Sequence, residues 1–241
     1  LASKFSYSTT VAYDGWKTFD ASTVAVRTLD GTSWHIPTLK EWYSIFPAKT
    51  WGLGDNFLTL YTANTVVSEA ECVFGYNAST QSGIAAKSYY SASGTGEQWA
   101  IRFIGTDYCS AWHWKWIEES DNTKRIEITS VLINVIQEDE ISKLADKLAE
   151  IKTTEYWDDI MDKYGYAKRK LYITGYSSTS GKTSHPVSER TESNRFATCI
   201  ATKNSSGTYF YNLNFQKNSW NYPSNNGSNT MCMSVRLFRD K

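Results

Sequence analysis

The apolar residues of this chain change their period twice, and this limits the folds available to it. From about residue 56 to residue 135, apolar and polar residues alternate in short runs, as in antiparallel β-strands. Between Glu138 and Gly165 they recur every three or four positions, as on one helix face, and alternation returns from Tyr209. We therefore predict one domain over residues 1–241 with an α+β fold: a twisted antiparallel sheet, two flanking helices and long loops.

The predicted helices have recognisable ends. The first covers residues 38–46, where Thr38 and Glu41 have the spacing of a capping box and Pro47 cannot continue the helix. Trp42, Ile45 and Phe46 fall on one face of this helix. The second covers residues 154–164 and stops at Gly165. Apolar residues at helical spacing also precede it, at Ile141, Leu144, Ala145, Leu148 and Ile151. Thr153 and Thr154 offer an N-cap between the two helical segments.

Several segments before residue 135 are candidate strands. They are Phe57–Tyr61, Cys72–Tyr76, Gln98–Ile104, Ser110–Ile117 and Arg125–Ile133. Trp99, Ile101 and Phe103 alternate with Gln98, Ala100 and Arg102, which predicts a half-buried strand. Trp112, Trp114 and Trp116 share one face, and either a core ladder or an exposed stacking platform would use them. His113 and Lys115 take the opposite face.

The last quarter of the chain mixes loops and strands. Residues 174–194 are rich in Ser, Thr and Gly and are predicted to form a long loop. Alternation over residues 209–216 predicts a strand, a polar stretch follows at 216–230, and Met231–Phe238 is the predicted closing strand. Within the polar stretch, Asn225-Asn226-Gly227 has the composition of a tight turn.

Charge and cysteine spacing exclude several functional classes. The 25 basic residues balance the 25 acidic ones, so neither nucleic acid nor an anionic membrane is expected as the main partner. No apolar stretch is long enough to span a bilayer. Cys72, Cys109, Cys199 and Cys232 form no CxxC pair, which argues against zinc-ribbon and thioredoxin chemistry. Two disulfides and four buried free thiols both remain open.

No catalytic motif is recognisable. The chain has neither a GxSxG elbow nor a Gly-rich phosphate loop. His35, His113 and His185 do not have metal-ligand spacing, so we expect no metal and no cofactor. A pair of glycosidase carboxylates has no sequence signature, so an enzyme acting on carbohydrate remains an alternative.

The region from residue 204 to residue 229 is rich in asparagine and aromatic residues. Eight of the fourteen asparagines lie there, at Asn204, Asn212, Asn214, Asn218, Asn221, Asn225, Asn226 and Asn229. Turns would account for some of them. Asn212 and Asn214 fit turns poorly because they fall in a predicted strand, where asparagine is depleted. Asn and Tyr are also what adaptable binding surfaces use, so the region is a candidate binding surface.

A family resemblance extends over most of the chain. Trp34-His35-Ile36-Pro37-Thr38 with Glu41-Trp42 resembles the W-H-[IL]-P-[ST]-x-x-E-W signature of the Fibrobacter succinogenes major-domain (FISUMP) family. Met233 to Arg239, Met-Ser-Val-Arg-Leu-Phe-Arg, resembles that family's closing strand, and Tyr211-Asn212-Leu213-Asn214-Phe215 resembles an earlier strand. Two weaker matches, Ala100–Phe103 and Ser110–Trp112, lie between them in the right order.

The resemblance implies a C-type-lectin-like fold whose N- and C-terminal strands pair. It also implies a non-catalytic, adhesin-like domain of a surface lipoprotein or fimbria-associated protein of Bacteroidetes-like bacteria. Some relatives of this fold are diversified by retroelements at asparagine codons before the last strand, where the asparagines of this chain lie. The sugar-and-calcium motifs of true C-type lectins are missing, and Tyr222 follows Trp220-Asn221 where an Asp would be expected. Calcium-dependent sugar binding is therefore not implied.

Together these observations predict an extracellular or cell-surface domain that recognises a host or bacterial surface protein or a glycan. The predicted ligand-binding residues are Phe210, Asn212, Asn214, Asn218, Trp220, Asn221, Tyr222, Asn225, Asn226 and Asn229. Trp220 and Tyr222 would be the aromatic anchors, because amphipathic aromatic side chains dominate binding energies. The alternatives are a carbohydrate-active enzyme and a structural pilus-associated subunit.

Overall fold

The computed structural model describes the central part of the chain most completely. The described residues are 27–29, 32–35, 39–46, 65–69, 84–91, 96–121, 123–163, 165–172, 193–204, 207–216, 219–228 and 238–239. The strands are β1 (Arg27–Leu29), β2 (Thr32–His35), β3 (Val66–Ser68), β4 (Lys87–Tyr90), β5 (Glu97–Arg102), β6 (Ser110–Glu118), β7 (Lys124–Leu132), β8 (Tyr166–Tyr172), β9 (Ser193–Asn204), β10 (Gly207–Gln216), β11 (Ser219–Ser228) and β12 (Phe238–Arg239). The helices are α1 (Leu39–Tyr43), α2 (Ile141–Ile151) and α3 (Thr154–Lys163).

The described strands form three antiparallel sheets. The largest is a meander in which β3 to β8 pair in chain order, and α2 and α3 lie between β7 and β8 in the sequence. The second sheet has the order β11-β10-β9, and the third has the order β1-β2-β12. The predicted α+β class is therefore confirmed. The predicted strands at 98–104, 110–117 and 125–133 are confirmed to within two residues.

One face of the six-stranded sheet packs against the segment that begins with α1. Trp42, Ile45 and Phe46 are buried there, as their helical spacing predicted, although the regular helix ends at Tyr43 and a turn continues to Phe46. The strand side of this core includes Trp112, Trp114 and Trp116, which are all buried. The three indoles are therefore a core ladder and not an exposed platform.

A buried ion pair joins the α1 segment to the sheet on this same face. Arg102 Nη2 lies 2.8 Å from Glu69 Oε2, and both side chains are fully buried. The guanidinium also donates to the carbonyl oxygens of Tyr43, at 2.7 Å, and Ser44, at 2.9 Å. Tyr90 donates its hydroxyl to Glu69 Oε1 at 2.6 Å. These contacts satisfy both charges, as burial requires.

The opposite face of the sheet packs against α2 and α3. Leu144, Leu148 and Ile151 of α2 and Trp157 and Ile160 of α3 are buried against the apolar residues of β4 to β7. Ile141, which shares their spacing, is instead 44% exposed. The N-cap is Thr153: its Oγ1 accepts a hydrogen bond from the Tyr156 backbone N–H at 3.3 Å, as the Thr-Thr sequence predicted.

The structure corrects the prediction for β5. We predicted a half-buried strand, but both of its faces are largely buried, because helical segments cover both sides of the sheet. Phe103 was predicted to share a face with Trp99 and Ile101, yet it packs in the core on the α1 side. The reason is local: β5 ends at Arg102, and Phe103 has a φ of 57°, which turns the chain out of the strand.

The structure also corrects the C-terminal predictions. Residues 219–228, predicted as part of a polar stretch, form β11, and the predicted tight turn at Asn225-Asn226-Gly227 lies within that strand. The register between β10 and β11 is irregular there, since Phe210 pairs with Gly227 and Asn212 pairs with Ser224. Such a bulge accommodates turn-forming residues without ending a strand.

The remaining predictions are tested only in part. The strands predicted at 57–61 and 72–76 and most of the loop predicted at 174–194 lie outside the described residues. The predicted closing strand, Met231–Phe238, also lies outside the described residues up to residue 237. β12 begins at Phe238 and pairs with β2, so strands near the two ends of the chain do pair. Cys109 is a buried free thiol, and burial raises its pKa. Among the described helices, none has the length and apolarity needed to cross a bilayer.

Candidate functional site

The α2–α3 side of the six-stranded sheet ends in a row of charged residues. Across four adjacent strands, Glu97 pairs in register with Lys115, Lys115 with Glu127, and Glu127 with Lys170. Side chains at paired positions of antiparallel strands are neighbours, so acidic and basic groups alternate along the row. The alternation keeps like charges apart and leaves this end of the sheet polar.

The next row of the sheet combines aromatic and polar residues. Trp99 pairs in register with His113, His113 with Thr129, and Thr129 with Lys168. The Trp99 and His113 rings stack with centroids 5.0 Å apart and an interplanar angle of 7°. Trp157 of α3 covers His113 at 5.5 Å between centroids. The imidazole is thus held between two indoles.

These two rows form the floor of a cavity of about 170 Å³ whose wall is the α2–α3 junction. We call it the sheet–helix cleft. Its lining residues are Glu97, Trp99, His113, Lys115, Glu127, Thr129, Lys152, Thr153, Thr154, Trp157, Met161 and Lys168. Residues 152–154 lie at the junction of α2 and α3 and line the cleft, so they form its rim over the charged row.

His113 is held in its neutral form. Burial lowers its pKa below the ordinary value, and the hydrogen bond and charge of Glu97 only partly oppose this. His113 Nε2 lies 2.7 Å from Glu97 Oε1. At neutral pH the imidazole therefore adds no charge to the cleft, while its contact with Glu97 fixes the orientation of both side chains.

Glu127 is held in its ionised form. Burial would raise its pKa, but hydrogen bonds from Arg125 and Lys168 outweigh that effect and lower it. Arg125 Nε lies 2.7 Å and Lys168 Nζ 3.0 Å from the carboxylate oxygens. The charge of Glu127 is consequently balanced by its own neighbours.

The binding residues predicted from the sequence lie elsewhere, on the hairpin formed by β10 and β11. Phe210, Asn212 and Asn214 belong to β10, and Trp220, Asn221, Tyr222, Asn225 and Asn226 belong to β11. Asn218 and Asn229 lie outside the described residues. In register, Asn214 pairs with Asn221 and Phe215 with Trp220. Eight of the ten predicted residues are therefore on two paired strands.

Sequence reasoning missed the sheet–helix cleft. The only available signal was the alternation in Trp112-His113-Trp114-Lys115-Trp116, which sends His113 and Lys115 to the face opposite the indoles. Nothing in that pattern shows that Trp99 and Trp157 would enclose the histidine, since they come from another strand and from a helix. Within the described ranges, no three His, Cys, Asp or Glu side chains are grouped as metal ligands.

Comparison with known proteins assigns the chain to a family. Neither the curated proteins nor the solved structures include a match to this sequence. One family model matches residues 3–238, almost the full length of the chain. The chain therefore belongs to the family described as a domain of unknown function, DUF8237.

Proposed function

We propose that this domain is a non-catalytic ligand-binding module, displayed at a bacterial cell surface or secreted, with a C-type-lectin-like fold. Its binding surface would be the β10–β11 hairpin, and its ligand a surface protein or a glycan of a host or another bacterium. The observation that carries the proposal is the register of this hairpin, in which Asn214 pairs with Asn221 and Phe215 with Trp220.

This register supports binding because it places residues of the two strands side by side, Asn214 with Asn221 on one face of the hairpin and Phe215 with Trp220 on the other. Amide side chains provide both donors and acceptors, and tryptophan and tyrosine provide large contact areas. Strands also position such side chains more precisely than loops do. The irregular register around Asn225 and Asn226 adds support, because bulges often occur where a strand presents side chains to a ligand.

Two features support the proposed fold. The first is the antiparallel, α+β architecture with a helix shortly after β2. The second is the pairing of β2 with β12, which joins strands from near the two ends of the chain, as the resemblance to C-type-lectin-like domains implies. A crystal structure compared with C-type-lectin-like domains tests this part directly, and an unrelated strand order would overturn it.

The binding surface is tested by substitution of its aromatic anchors. We expect Trp220→Ala and Tyr222→Ala to abolish binding to glycan arrays and to surface-protein libraries while shifting the Tm little. The matched control is Tyr166→Ala, which removes a half-exposed tyrosine from β8. A large loss of stability in both hairpin variants would place these side chains in a core. Unchanged binding would also refute the proposed surface.

A carbohydrate-active enzyme is the second candidate, and one observation favours it. Glu97 and Glu127 both line the sheet–helix cleft and are two strands apart, which separates their backbones by about 10 Å. Inverting glycosidases use carboxylates separated by roughly 6.5–9.5 Å. If this function is correct, the protein releases reducing sugar from a polysaccharide panel and Glu127→Gln abolishes the release. An inactive wild-type protein across the panel removes this candidate.

A further inference from the structure

The C-terminal part of the chain is positively charged, although the chain as a whole is neutral. Residues 193–239 contain no Asp and no Glu, while the whole chain has 25 acidic residues. The same range contains five basic residues, Arg195, Lys203, Lys217, Arg236 and Arg239. It includes all of β9, β10 and β11. The sheet that these strands form therefore has no acidic side chain of its own to balance its basic ones.

The register of this sheet places its two basic residues on the same face. Arg195 pairs with Asn214, and Lys203 pairs with Thr208. Thr208 and Asn214 are six positions apart on β10, and an even separation along a strand puts two residues on one face. Six residues of a strand span about 20 Å. We call the face that carries Arg195, Lys203, Thr208 and Asn214 the cationic face.

Amide and hydroxyl residues occupy much of the cationic face between and around its two cations. Asn221 extends the row of Arg195 and Asn214, and Asn212 lies in the next row towards Lys203. Other positions of this face are Ser193, Phe210, Gln216, Ser219 and Ser224. Because charged side chains are buried only with partners, and this sheet supplies no acidic ones, we expect the cationic face to be accessible to a ligand.

The composition of the cationic face indicates the class of ligand. Basic side chains pair with carboxylate and sulfate groups, and amides and hydroxyls donate to and accept from the hydroxyl groups of sugars. Two cations about 20 Å apart require an extended ligand with more than one negative group. A nucleic acid would call for more basic residues, and peptides that add a strand bind at the edge of a sheet, not on its face.

We propose that the cationic face binds an acidic polysaccharide. Its anionic groups pair with Arg195 and Lys203, and its hydroxyl groups bind Asn212, Asn214 and Asn221. The proposal rests on the function proposed above, in that it takes this sheet as the ligand-binding element, and it narrows the ligand to anionic glycans. Carboxylated and sulfated polysaccharides share the required chemistry.

This site is separate from the aromatic anchor Trp220. Trp220 pairs with Phe215, and Phe215 directly follows Asn214 on β10, so the two aromatic residues lie on the opposite face of the sheet. An acidic polysaccharide on the cationic face does not need Trp220. Removal of Trp220 and removal of the two cations therefore test different surfaces.

The first test compares charged and neutral polymers. Immobilised polygalacturonate supplies carboxylates, dextran sulfate supplies sulfates, dextran is the neutral control, and poly-L-glutamate is an acidic peptide. We expect biolayer interferometry on the full chain to show binding to one or both acidic polysaccharides, no binding to dextran, and weaker binding as NaCl is added. Binding to polygalacturonate alone identifies uronic acids as the ligand groups, and binding to dextran sulfate alone identifies sulfates.

Variants show whether the polysaccharide binds on the cationic face. Arg195→Gln combined with Lys203→Gln removes both cations, and we expect it to weaken binding about tenfold. The matched control, Lys143→Gln combined with Lys170→Gln, removes two exposed lysines from α2 and β8 and should change affinity by less than about twofold. Asn214→Asp is nearly isosteric and adds a negative charge to the row of Arg195, so it should also weaken binding about tenfold.

Four results would overturn the proposal. Neither acidic polysaccharide binds, poly-L-glutamate binds as tightly as they do, the control pair weakens binding as much as the loss of Arg195 and Lys203, or Asn214→Asp has no effect. Failure of the function proposed above has a different signature. If Trp220→Ala abolishes binding and the loss of both cations does not, the hairpin binds ligand through its aromatic residues and only the cationic face is refuted. The opposite result supports the cationic face and refutes the aromatic anchor.

Discussion

The charged residues on the two faces of the six-stranded sheet differ in how far they are buried. On the α1 side, Arg102 and Glu69 are fully buried, and carbonyl and hydroxyl groups complete their hydrogen bonds. On the α2–α3 side, Lys115 and Glu97 are 50% and 33% exposed and lie 3.7 Å apart. A charged side chain is buried only where other groups supply all of its ionic and hydrogen-bonding partners. The sheet–helix cleft lies on the α2–α3 side, where the charged side chains stay partly exposed.

The sharpest test of this difference is to break the buried pair. We expect Arg102→Met to lower the free energy of unfolding by about 3–5 kcal/mol, because Glu69 would remain buried without its counter-charge. The matched change on the other face, Lys115→Met, should cost less than about 1 kcal/mol, because an exposed pair contributes little. Urea denaturation measures both. Equal losses would show that the two faces do not differ in this respect.

The next largest effect concerns the packing of α2 on the sheet. Leu148 is 4% exposed and contributes to the core on that side. Leu148→Ala should destabilise the protein by about 2–5 kcal/mol. Chemical denaturation measures the loss, and Ile141→Ala is the control, since Ile141 is on the same helix and 44% exposed. A loss below that of the control would mean that α2 is not packed as the structure shows.

A smaller effect is expected at the junction that forms the rim of the cleft. Thr153 Oγ1 accepts from the Tyr156 N–H and donates to the Glu150 carbonyl oxygen at 2.8 Å. Thr153→Ala should therefore cost about 1 kcal/mol of unfolding free energy. Thr154→Ala changes the adjacent exposed threonine and should stay within about 0.5 kcal/mol. The reverse order of the two losses would assign the cap to Thr154.

The sequence predicted features that depend on near neighbours. The spacing of Trp42, Ile45 and Phe46 identified a buried face. The alternation in residues 112–116 placed the three indoles on one face but left open whether that face is buried. Thr153 was identifiable because an N-cap is a local signal. In each case the residues that determine the structure lie within a few positions of one another.

Features that join distant segments were not predictable. Glu69 and Arg102 are 33 positions apart, and the residues around each of them do not indicate that it has a buried partner. The same holds for Trp157 on His113, which requires α3 to fold back over the sheet. The turn predicted at Asn225-Asn226-Gly227 was wrong because these residues lie inside β11. Their preference for turn conformations is met at a bulge, and the bulge arises from the pairing with β10, which the local sequence does not show.

The smallest effect that we predict is a pH dependence that belongs to the cleft face alone. Burial lowers the pKa of His113, so below about pH 6.5 the unfolded chain takes up a proton that the folded chain does not. Stability from this residue is thus complete above about pH 6.5 and declines as the pH falls towards the folded-state pKa.

The effect is small because Glu97 partly offsets the effect of burial on the pKa of His113. Glu97 on β5 favours the proton, Lys115 on β6 and Lys168 on β8 oppose it, and Thr129 on β7 and Trp157 on α3 carry no charge. Urea denaturation of the wild type and of His113→Gln, above and below about pH 6.5, measures how much of the pH dependence of the unfolding free energy comes from His113. The variant should lose less stability on acidification than the wild type. An equal or greater loss would mean that His113 is not buried against Trp99 and Trp157.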